Sequence, residues 1–178
     1  MIEYVPKIYD DPKTRMPVTA WGEIPRILKD IITRFNLNTN IALDLGTDTG
    51  YSATALSNYF TKVITVDTFR GDLYQLPDDD VFYKKVVFEL TDYKNIEIVK
   101  SDFRDFIDDT HYDLVHVDMK HDYETTYEAG DWALRHADLV IFHDTISYPI
   151  VMQCVEDLAL KYDKEFYNYP LYNGLGIL

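Results

Sequence analysis

The sequence predicts a doubly wound α/β fold with a mostly parallel sheet of seven strands. Strand-like and helix-like segments alternate five times, and two strand-like segments joined by Asn173-Gly174 end the chain. Alternation of this kind is typical of a parallel sheet covered by helices on both faces, and the Gly-containing turn indicates an antiparallel hairpin. The 178 residues suffice for one domain with its own core. We assign residues 19–178 to this domain and residues 1–18, with three prolines, to an irregular N-terminal arm.

The individual elements follow from the spacing of apolar residues. Strands are predicted at 41–45, 62–66, 95–99, 112–117 and 137–142, and the terminal hairpin at 165–169 and 175–178. Helices are predicted at 21–35, 51–60, 78–93, 123–135 and 149–162, with a short helix that ends at residue 107. In the first helix Ile24, Ile27, Leu28 and Ile31 recur at helical spacing. Residues 69–77 are predicted to form a loop.

Composition excludes several classes of function. The chain has 17 Lys and Arg against 31 Asp and Glu, which gives a formal net charge of −14. Such a field repels phosphate backbones and anionic lipids, so we expect a small-molecule partner and neither nucleic acid nor a membrane. The single Cys154 excludes an internal disulfide and a cysteine-based zinc site. Because no signal peptide or apolar run of transmembrane length is present, we expect a cytoplasmic location.

One stretch, residues 41–52, has the pattern strand, glycine turn, helix. Asp44 lies near the end of the strand, Gly46 to Gly50 supply the turn, and an apolar helical pattern begins at Tyr51. A helix that starts after such a turn presents free backbone N–H groups and the positive end of its dipole to a ligand. The turn is not the dinucleotide fingerprint G-x-G-x-x-G, because Thr47 and Asp48 stand where the second glycine is needed.

An acidic residue lies near or just after the end of each of the first five predicted strands. These residues are Asp44, Asp67, Asp102, Asp118 and Asp144, the last preceded by His143. Ligands of open α/β sheets bind outside the carboxyl ends of the strands, so these side chains are expected along one binding edge. Asp67 lies about 20 residues after the glycine turn, where an acid can accept both hydrogen bonds of a ribose diol. A single strand-end aspartate is often only a turn former or a helix cap, and the functional interpretation depends on the whole set.

The pattern D-x-G-x-x-x-G resembles the first motif of the class I S-adenosylmethionine-dependent methyltransferases, which have a Rossmann-like fold. In that family the methionine part of the cofactor lies along the glycine turn. The resemblance implies S-adenosylmethionine (SAM) as cofactor. It also implies a set of cofactor-binding residues: Asp44, Gly46, Thr47, Gly50, Tyr51, Asp67, Thr68, Asp102 and Phe103. Asp67 matches the ribose-binding acid, Asp102 the acid that meets the adenine amino group, and Phe103 would pack on the adenine ring.

The stretch 117–124, Val-Asp-Met-Lys-His-Asp-Tyr-Glu, resembles a more specific signature. This signature, D-G-D-H-S-Y-E, occurs in small methyltransferases that include cephalosporin-hydroxylase-like and sugar O-methyltransferase-like members. The resemblance implies methyl transfer to a hydroxyl of a small-molecule acceptor, with Asp118 and His121 as catalytic residues. Histidine suits a general base because its ordinary pKa lies near neutral pH. Alternatively, His121 only caps the following helix or pairs with Asp122.

The same resemblance implies a divalent metal. In relatives with a catalytic ion, the ligands are the acid after the fourth strand and an acidic pair after the fifth, which correspond to Asp118, His143 and Asp144. His143 stands in the place of the first acid of the pair. Mg²⁺ prefers oxygen ligands, whereas imidazole favours Mn²⁺, Fe²⁺ or Zn²⁺. The sequence therefore leaves open whether an ion is bound, and whether it is Mg²⁺, Mn²⁺ or Fe²⁺.

Two other functions remain compatible with the sequence. One is a metal-dependent hydroxylase or hydrolase on the same scaffold, using Asp118, His121, His143 and Asp144. The other is a non-catalytic subunit that binds the cofactor. Little of the chain is left for a substrate lid, so a homo-oligomer whose second subunit completes the acceptor site is expected. His116 and His136 are interpreted as structural, and Trp21 either caps a substrate pocket or anchors the core.

Overall fold

The computed structural model describes residues 1–15, 20–70, 79–106 and 109–178. The strands are β1 (Ile2–Glu3), β2 (Ile41–Leu45), β3 (Lys62–Asp67), β4 (Ile96–Lys100), β5 (Tyr112–Val117), β6 (Ala137–His143), β7 (Tyr167–Tyr169) and β8 (Leu175–Ile177). The helices are α1 (Leu28–Arg34), α2 (Tyr51–Leu56), α3 (Asp79–Glu89), α4 (Phe103–Phe106), α5 (Tyr123–His136) and α6 (Pro149–Lys161). A 3₁₀ turn (Ile24–Ile27) precedes α1.

All described strands belong to one sheet, in the order β1-β7-β8-β6-β5-β2-β3-β4. β8 runs antiparallel to both of its neighbours, β6 and β7, and every other pairing is parallel. The predicted doubly wound sheet with its terminal antiparallel hairpin is therefore confirmed. The number of strands is corrected from seven to eight, because Ile2 and Glu3 of the predicted irregular arm pair with Tyr167 and Asn168 of β7.

The core has two main parts, one on each face of the sheet. On one face α5 and α6 cover alternate residues of the central strands, such as Leu43, Val115 and Val140. On the other face the 3₁₀ turn, α1 and α2 cover the intervening residues, such as Ala42 and Leu114. Because side chains alternate across a strand, each residue of these strands faces one helix layer or the other.

The first predicted helix, 21–35, is shorter and irregular at its start. Residues 24–27 form a 3₁₀ turn, and the α-helix proper begins at Leu28. Pro25 lies at the first turn, where its missing N–H costs no helical hydrogen bond. Trp21 precedes the turn and is buried. The predicted loop 69–77 and the predicted helix start at residue 78 lie mostly or wholly outside the described residues.

The carboxyl ends of β2, β3, β5 and β6 meet at one edge of the sheet, as their parallel pairing requires. The glycine turn after β2 lies directly against the residue that follows β5, since the N–H of Asp118 donates to the carbonyl of Leu45 over 2.9 Å. This edge carries the predicted functional residues. None of the helices among the described residues has the length and apolar character required to cross a membrane.

Candidate active site

A pocket of about 320 Å³ opens at this edge of the sheet. Its described lining comprises Ala20, Trp21, Gly46, Thr47, Asp48, Thr49, Tyr51, Ser52, Asp67, Thr68, Phe82, Asp118, His121, His143 and Asp144. The volume is at the lower end of the range of small-molecule sites. Residues of the glycine turn line the pocket together with the acid–histidine residues that follow β5 and β6, so one cavity joins the two predicted halves of the site.

The glycine turn needs glycine at both predicted positions. Gly46 has a φ of +105°, and a Cβ there would lie 1.7 Å from the carbonyl oxygen of Asp118. Gly50 has a φ of +85° immediately before α2, and its Cβ would lie 2.7 Å from a methyl of Leu90. Positive φ and close approach both exclude larger side chains. The turn can therefore pass beneath a ligand while staying packed on the strand-end residues.

Asp67 is held at the pocket by backbone donors. The N–H of Asp48 donates to Oδ2 over 2.9 Å, and the N–H of Phe69 donates to Oδ1 over 2.7 Å. Each carboxylate oxygen keeps a second lone pair, so two ligand hydroxyls can still be accepted. Burial raises the pKa of the Asp67 carboxyl, and the two N–H groups offset this only in part. Thr68, the next residue, also lines the pocket.

Thr47 and Tyr51 lie where the resemblance implies contact with the methionine part of the cofactor. Both line the pocket, although each is largely buried. The Oγ1 of Thr47 is 2.6 Å from the Oγ1 of Thr65, and the hydroxyl of Tyr51 donates to the carbonyl of Gly22 over 3.1 Å. The two side chains therefore fix the shape of the turn as well as forming part of the pocket wall.

Asp44, which was predicted to contact the cofactor, is not among the described residues that line the pocket. Its side chain is fully buried, and its Oδ2 accepts from Thr65 Oγ1 at 2.7 Å and from Ser52 Oγ at 3.1 Å. Its Oδ1 lies 2.6 Å from Nδ1 of His116. The sheet register causes this, because Asp44 is directly opposite Thr65 on β3 and His116 on β5. Asp44 is thus a buried support under the turn.

Asp102 and Phe103 also lie outside the described lining of the pocket. Phe103 is 2% exposed and packs within the core on the α5–α6 face. Asp102 accepts from the N–H of Arg104 over 2.9 Å at the start of α4. The ring of Phe103 faces the core from α4, and its contact with an adenine stays a prediction.

The predicted metal ligands converge. Nδ1 of His143 lies 3.2 Å from Oδ2 of Asp118 and 3.5 Å from Oδ2 of Asp144. One ligand atom from each of the three residues can be chosen so that all lie within 4.8 Å of one another. Among the described residues, neither Nδ1 of His143 nor Oδ1 of Asp144 has a hydrogen-bond partner, although both are buried. Buried polar atoms without partners at a converging donor set fit a bound cation.

The electrostatics of this cluster follow from burial and close opposite charges. Burial alone would raise the pKa of Asp118, but contact with His143 and the nearby His116 and His121 lower it below its ordinary value. Burial alone would lower the pKa of His143, but Asp118 and Asp144 outweigh it and raise the pKa. Asp144 also has a φ of +64°, a strained conformation for a non-glycine residue that is common at functional sites.

His121 reaches the same cluster from the loop before α5. Its Nε2 lies 2.6 Å from Oδ2 of Asp144 and 4.0 Å from Oδ1 of Asp118. Its ring stacks on Tyr148 with centroids 3.9 Å apart. Asp122, the alternative partner considered for His121, instead caps α5 by accepting from the N–H of Thr125. His121 is therefore oriented by Asp144 and Tyr148, at the pocket wall.

Several residues of the site were not predicted. Arg15 donates from its guanidinium to the carbonyl of Thr49 in the glycine turn and pairs with Glu89 of α3. The carbonyl of Tyr172 lies 3.2 Å from Nε2 of His143. No local sequence pattern predicts either contact, because each joins residues that are far apart in the chain. His116 carried a signal, since it lies within β5 only two residues before Asp118.

Comparison with known proteins agrees with this geometry. A family model described as a methyltransferase domain matches residues 43–145. A curated relative, the uncharacterized protein y4gI of Sinorhizobium fredii, is 28% identical in an alignment of 153 positions that covers 76% of this chain. The match spans only 16% of the length of that relative.

Solved structures show the same fold. A Staphylococcus aureus protein provisionally described as a caffeoyl-CoA O-methyltransferase is 14% identical and has a TM-score of 0.67, with 92% of this chain and 84% of that chain covered. The O-methyltransferase TomG from Streptomyces achromogenes, solved in complex with SAM, is 14% identical and has a TM-score of 0.63. The alignment covers 90% of this chain and 80% of that chain. The family match contains the glycine turn, Asp67 and the acid–histidine cluster, and the chain therefore belongs to the class I SAM-dependent methyltransferases.

Proposed function

We propose that this protein transfers a methyl group from SAM to a hydroxyl oxygen of a small molecule, with assistance from a divalent metal. One observation carries the proposal. One pocket is lined both by the glycine turn with Asp67 and by Asp118, His121, His143 and Asp144. The first group suits a nucleoside with an attached amino acid, and the second suits an acceptor oxygen that must lose a proton.

The cofactor half of the proposal rests on Asp67 and the turn. Asp67 is fixed by two backbone donors and keeps acceptor capacity for two ribose hydroxyls. The turn residues Gly46 to Thr49, together with Tyr51, form part of the pocket wall, where the methionine part would lie. An acidic pocket also suits the positive charge of a sulfonium.

The acceptor half rests on the acid–histidine cluster. Asp118, His143 and Asp144 would hold the metal, which when bound would supply a positive charge that favours the ionised form of an acceptor hydroxyl. His121, held by Asp144 and Tyr148, would take the hydroxyl proton. Trp21 and Phe82 would exclude water and position the acceptor.

The charges around the pocket restrict the acceptor. Four aspartates and no Lys or Arg are found among the described lining residues. Residues 16–19, 71–78 and 107–108, which lie outside the described ranges, contain no Lys or Arg in the sequence either. A phosphorylated or CoA-linked acceptor would therefore meet repulsion from this chain, which only the bound metal would offset. A neutral hydroxyl compound, such as a sugar or a polyketide-like molecule, suits the pocket better.

Two measurements test the proposal. Calorimetry should show binding of SAM and of its demethylated product. The dissociation constants should be in the micromolar range, which corresponds to a binding free energy of about −8 kcal/mol. Formation of that product should then depend on a hydroxyl acceptor chosen from a panel of neutral and phosphorylated compounds. Absence of any binding heat would reject the cofactor assignment. Binding without turnover on any acceptor would instead favour the non-catalytic subunit, and metal-dependent turnover without SAM would favour a hydroxylase or hydrolase.

A further inference from the structure

We infer that the backbone carbonyl of Tyr172 fixes the tautomer of His143 and thereby makes the proposed metal site selective for a transition ion such as Mn²⁺ or Fe²⁺ over Mg²⁺. This inference rests on the proposed function, because it concerns the same three ligands. Under this inference the turn between β7 and β8, as well as the three ligands, determines which ion is bound.

The tautomer follows from the partner of the imidazole. Nε2 of His143 lies 3.2 Å from the carbonyl oxygen of Tyr172. A carbonyl oxygen only accepts hydrogen bonds, so Nε2 carries the proton. In the neutral ring the lone pair is then on Nδ1, and a carbonyl behind a ligating histidine is a common means of fixing its tautomer and orientation.

The lone pair on Nδ1 faces two carboxylates. Oδ2 of Asp118 and Oδ2 of Asp144 lie 3.2 and 3.5 Å away, and the His143 side chain is only 2% exposed. A lone pair that close to two carboxylate oxygens is repulsive unless a proton or a metal ion lies between them. Two ligands that are each about 2.1 Å from one ion lie at most about 4.2 Å apart, so both separations fit a shared ion.

The turn that carries Tyr172 is built to hold this position. Tyr172, Asn173 and Gly174 have φ values of +52°, +67° and +93°, so three successive residues adopt the left-handed conformation. The carbonyl of Asn173 accepts from the N–H of Ile146 over 2.8 Å and from the N–H of Ser147 over 3.1 Å. The turn is therefore fastened to the loop that follows His143 and Asp144.

Close packing adds to this attachment. A Cβ on Gly174 would lie 2.5 Å from Oγ1 of Thr145 and 2.6 Å from the backbone nitrogen of Ile146. The ring of Tyr172 lies against Gly22, beside the pocket residue Trp21. Strain at successive non-glycine residues persists only where the surroundings enforce it, which points to a constrained position for the Tyr172 carbonyl.

Selectivity follows from the ligand set. Mg²⁺ prefers oxygen ligands in near-ideal octahedral geometry and gives up water reluctantly, whereas first-row transition ions accept imidazole readily. An acid at position 143 would complete an all-oxygen set. With the Nδ1 lone pair of His143 aimed at Asp118 and Asp144, the site instead presents one nitrogen and two carboxylates.

The test compares metal binding by calorimetry in the full chain and three variants. Wild type should bind Mn²⁺ at least about 10-fold more tightly than Mg²⁺. Tyr172→Gly keeps a positive φ accessible and should retain this preference, whereas Tyr172→Pro forces a φ near −65° and should weaken Mn²⁺ binding about 10–100-fold. His143→Asp should move the preference toward Mg²⁺. Equal affinity of wild type for both ions, no binding of either ion, or an unchanged preference in His143→Asp would overturn the inference.

A second measurement determines the tautomer of His143 directly. It requires neither a bound metal nor the Tyr172→Pro variant. Long-range ¹H–¹⁵N spectra of the wild type at alkaline pH, with the His143 signals identified by their loss in His143→Asp, should show the proton on Nε2. A proton on Nδ1 would overturn the inference. SAM binding, measured in the same samples, separates the two proposals: its absence rejects the proposed function, and its presence without metal selectivity rejects only this inference.

Discussion

Nδ1 of His116 lies 2.6 Å from Oδ1 of Asp44, and both side chains are fully buried beneath the glycine turn. Ser52 of α2 and Thr65 of β3 donate to the other oxygen of Asp44. The carboxylate therefore connects β2 to β5, α2 and β3 beneath the turn. The relationship assigns Asp44 to the support of the turn, and it leads to the first prediction.

Replacement of Asp44 by alanine should destabilise the fold. Three donors would lose their acceptor in a fully buried place, and each buried group left without a partner typically costs about 1–3 kcal/mol. Urea unfolding followed by circular dichroism measures this cost. Asp92→Ala removes the same charge from an exposed turn and should change the free energy of unfolding little. Near-normal stability of Asp44→Ala combined with lost SAM binding would return Asp44 to a direct role at the cofactor.

Replacement of Asp67 by alanine should weaken cofactor binding and leave the fold intact. Two ribose hydroxyls would lose their acceptor, at a cost of about 1.5–3 kcal/mol in binding free energy. Calorimetry with SAM and its demethylated product measures the loss. Asp102→Ala is the matched comparison, because Asp102 lies outside the described pocket lining. Equal affinity in wild type and Asp67→Ala would contradict the ribose assignment, and a larger loss in Asp102→Ala would place the adenine at Asp102.

Acidification should weaken cofactor binding. The weakening should begin at a higher pH than it would if Asp67 had the pKa of an ordinary aspartate. The ionised Asp67 carboxyl accepts hydrogen bonds at both oxygens, and protonation converts one of them into a donor. Burial raises the pKa of Asp67 above the ordinary 3.8, so the loss begins above that value as the pH falls. Calorimetry at stepwise lower pH, with circular dichroism to verify folding, gives the midpoint. Asp67→Asn should lack this transition, and a transition that persists in the variant would assign it to another group.

Replacement of Arg15 by alanine should loosen the glycine turn from the arm. The guanidinium bonds the Thr49 carbonyl and the Glu89 carboxylate, and the backbone N–H of Arg15 donates to Thr54 of α2 over 3.2 Å. Loss of hydrogen bonds to a charged group costs about 1.5–3 kcal/mol, and part of it should appear as weaker SAM binding.

A double-mutant cycle with Glu89→Ala separates the ion pair from the contact to the turn. Arg135→Ala, at an exposed pair with Asp131, is the control and should leave both stability and SAM affinity nearly unchanged. Normal SAM affinity in Arg15→Ala would show that the arm does not support the turn.

Replacement of His121 by alanine should lower turnover by about 10²–10⁴-fold while SAM affinity stays unchanged. The physical reason is loss of the group that takes the acceptor proton, and the acidic limb of the pH–rate profile should disappear with it. His111→Ala, at an exposed histidine paired with Asp138, is the control. A variant with near-normal turnover and an unchanged profile would leave His121 as a structural partner of Asp144.

The sequence by itself determined the type and order of the main elements and the edge at which the chemistry is found. Apolar alternation and helical spacing are local properties, so β2 and β5 were predicted with their observed bounds. The topology of a parallel sheet then requires that strand-end residues such as Asp67, Asp118 and Asp144 face one edge.

The tertiary structure decided what each of these side chains touches. Asp44 contacts His116 because sheet register places these two residues, 72 positions apart in the chain, side by side. Arg15 and Tyr172 reach the site from the two ends of the chain, across 34 and 29 residues respectively, and no pattern along the sequence encodes such contacts. Contacts of this kind depend on the packing of whole elements, whereas periodicity records only which face of its own element a residue occupies.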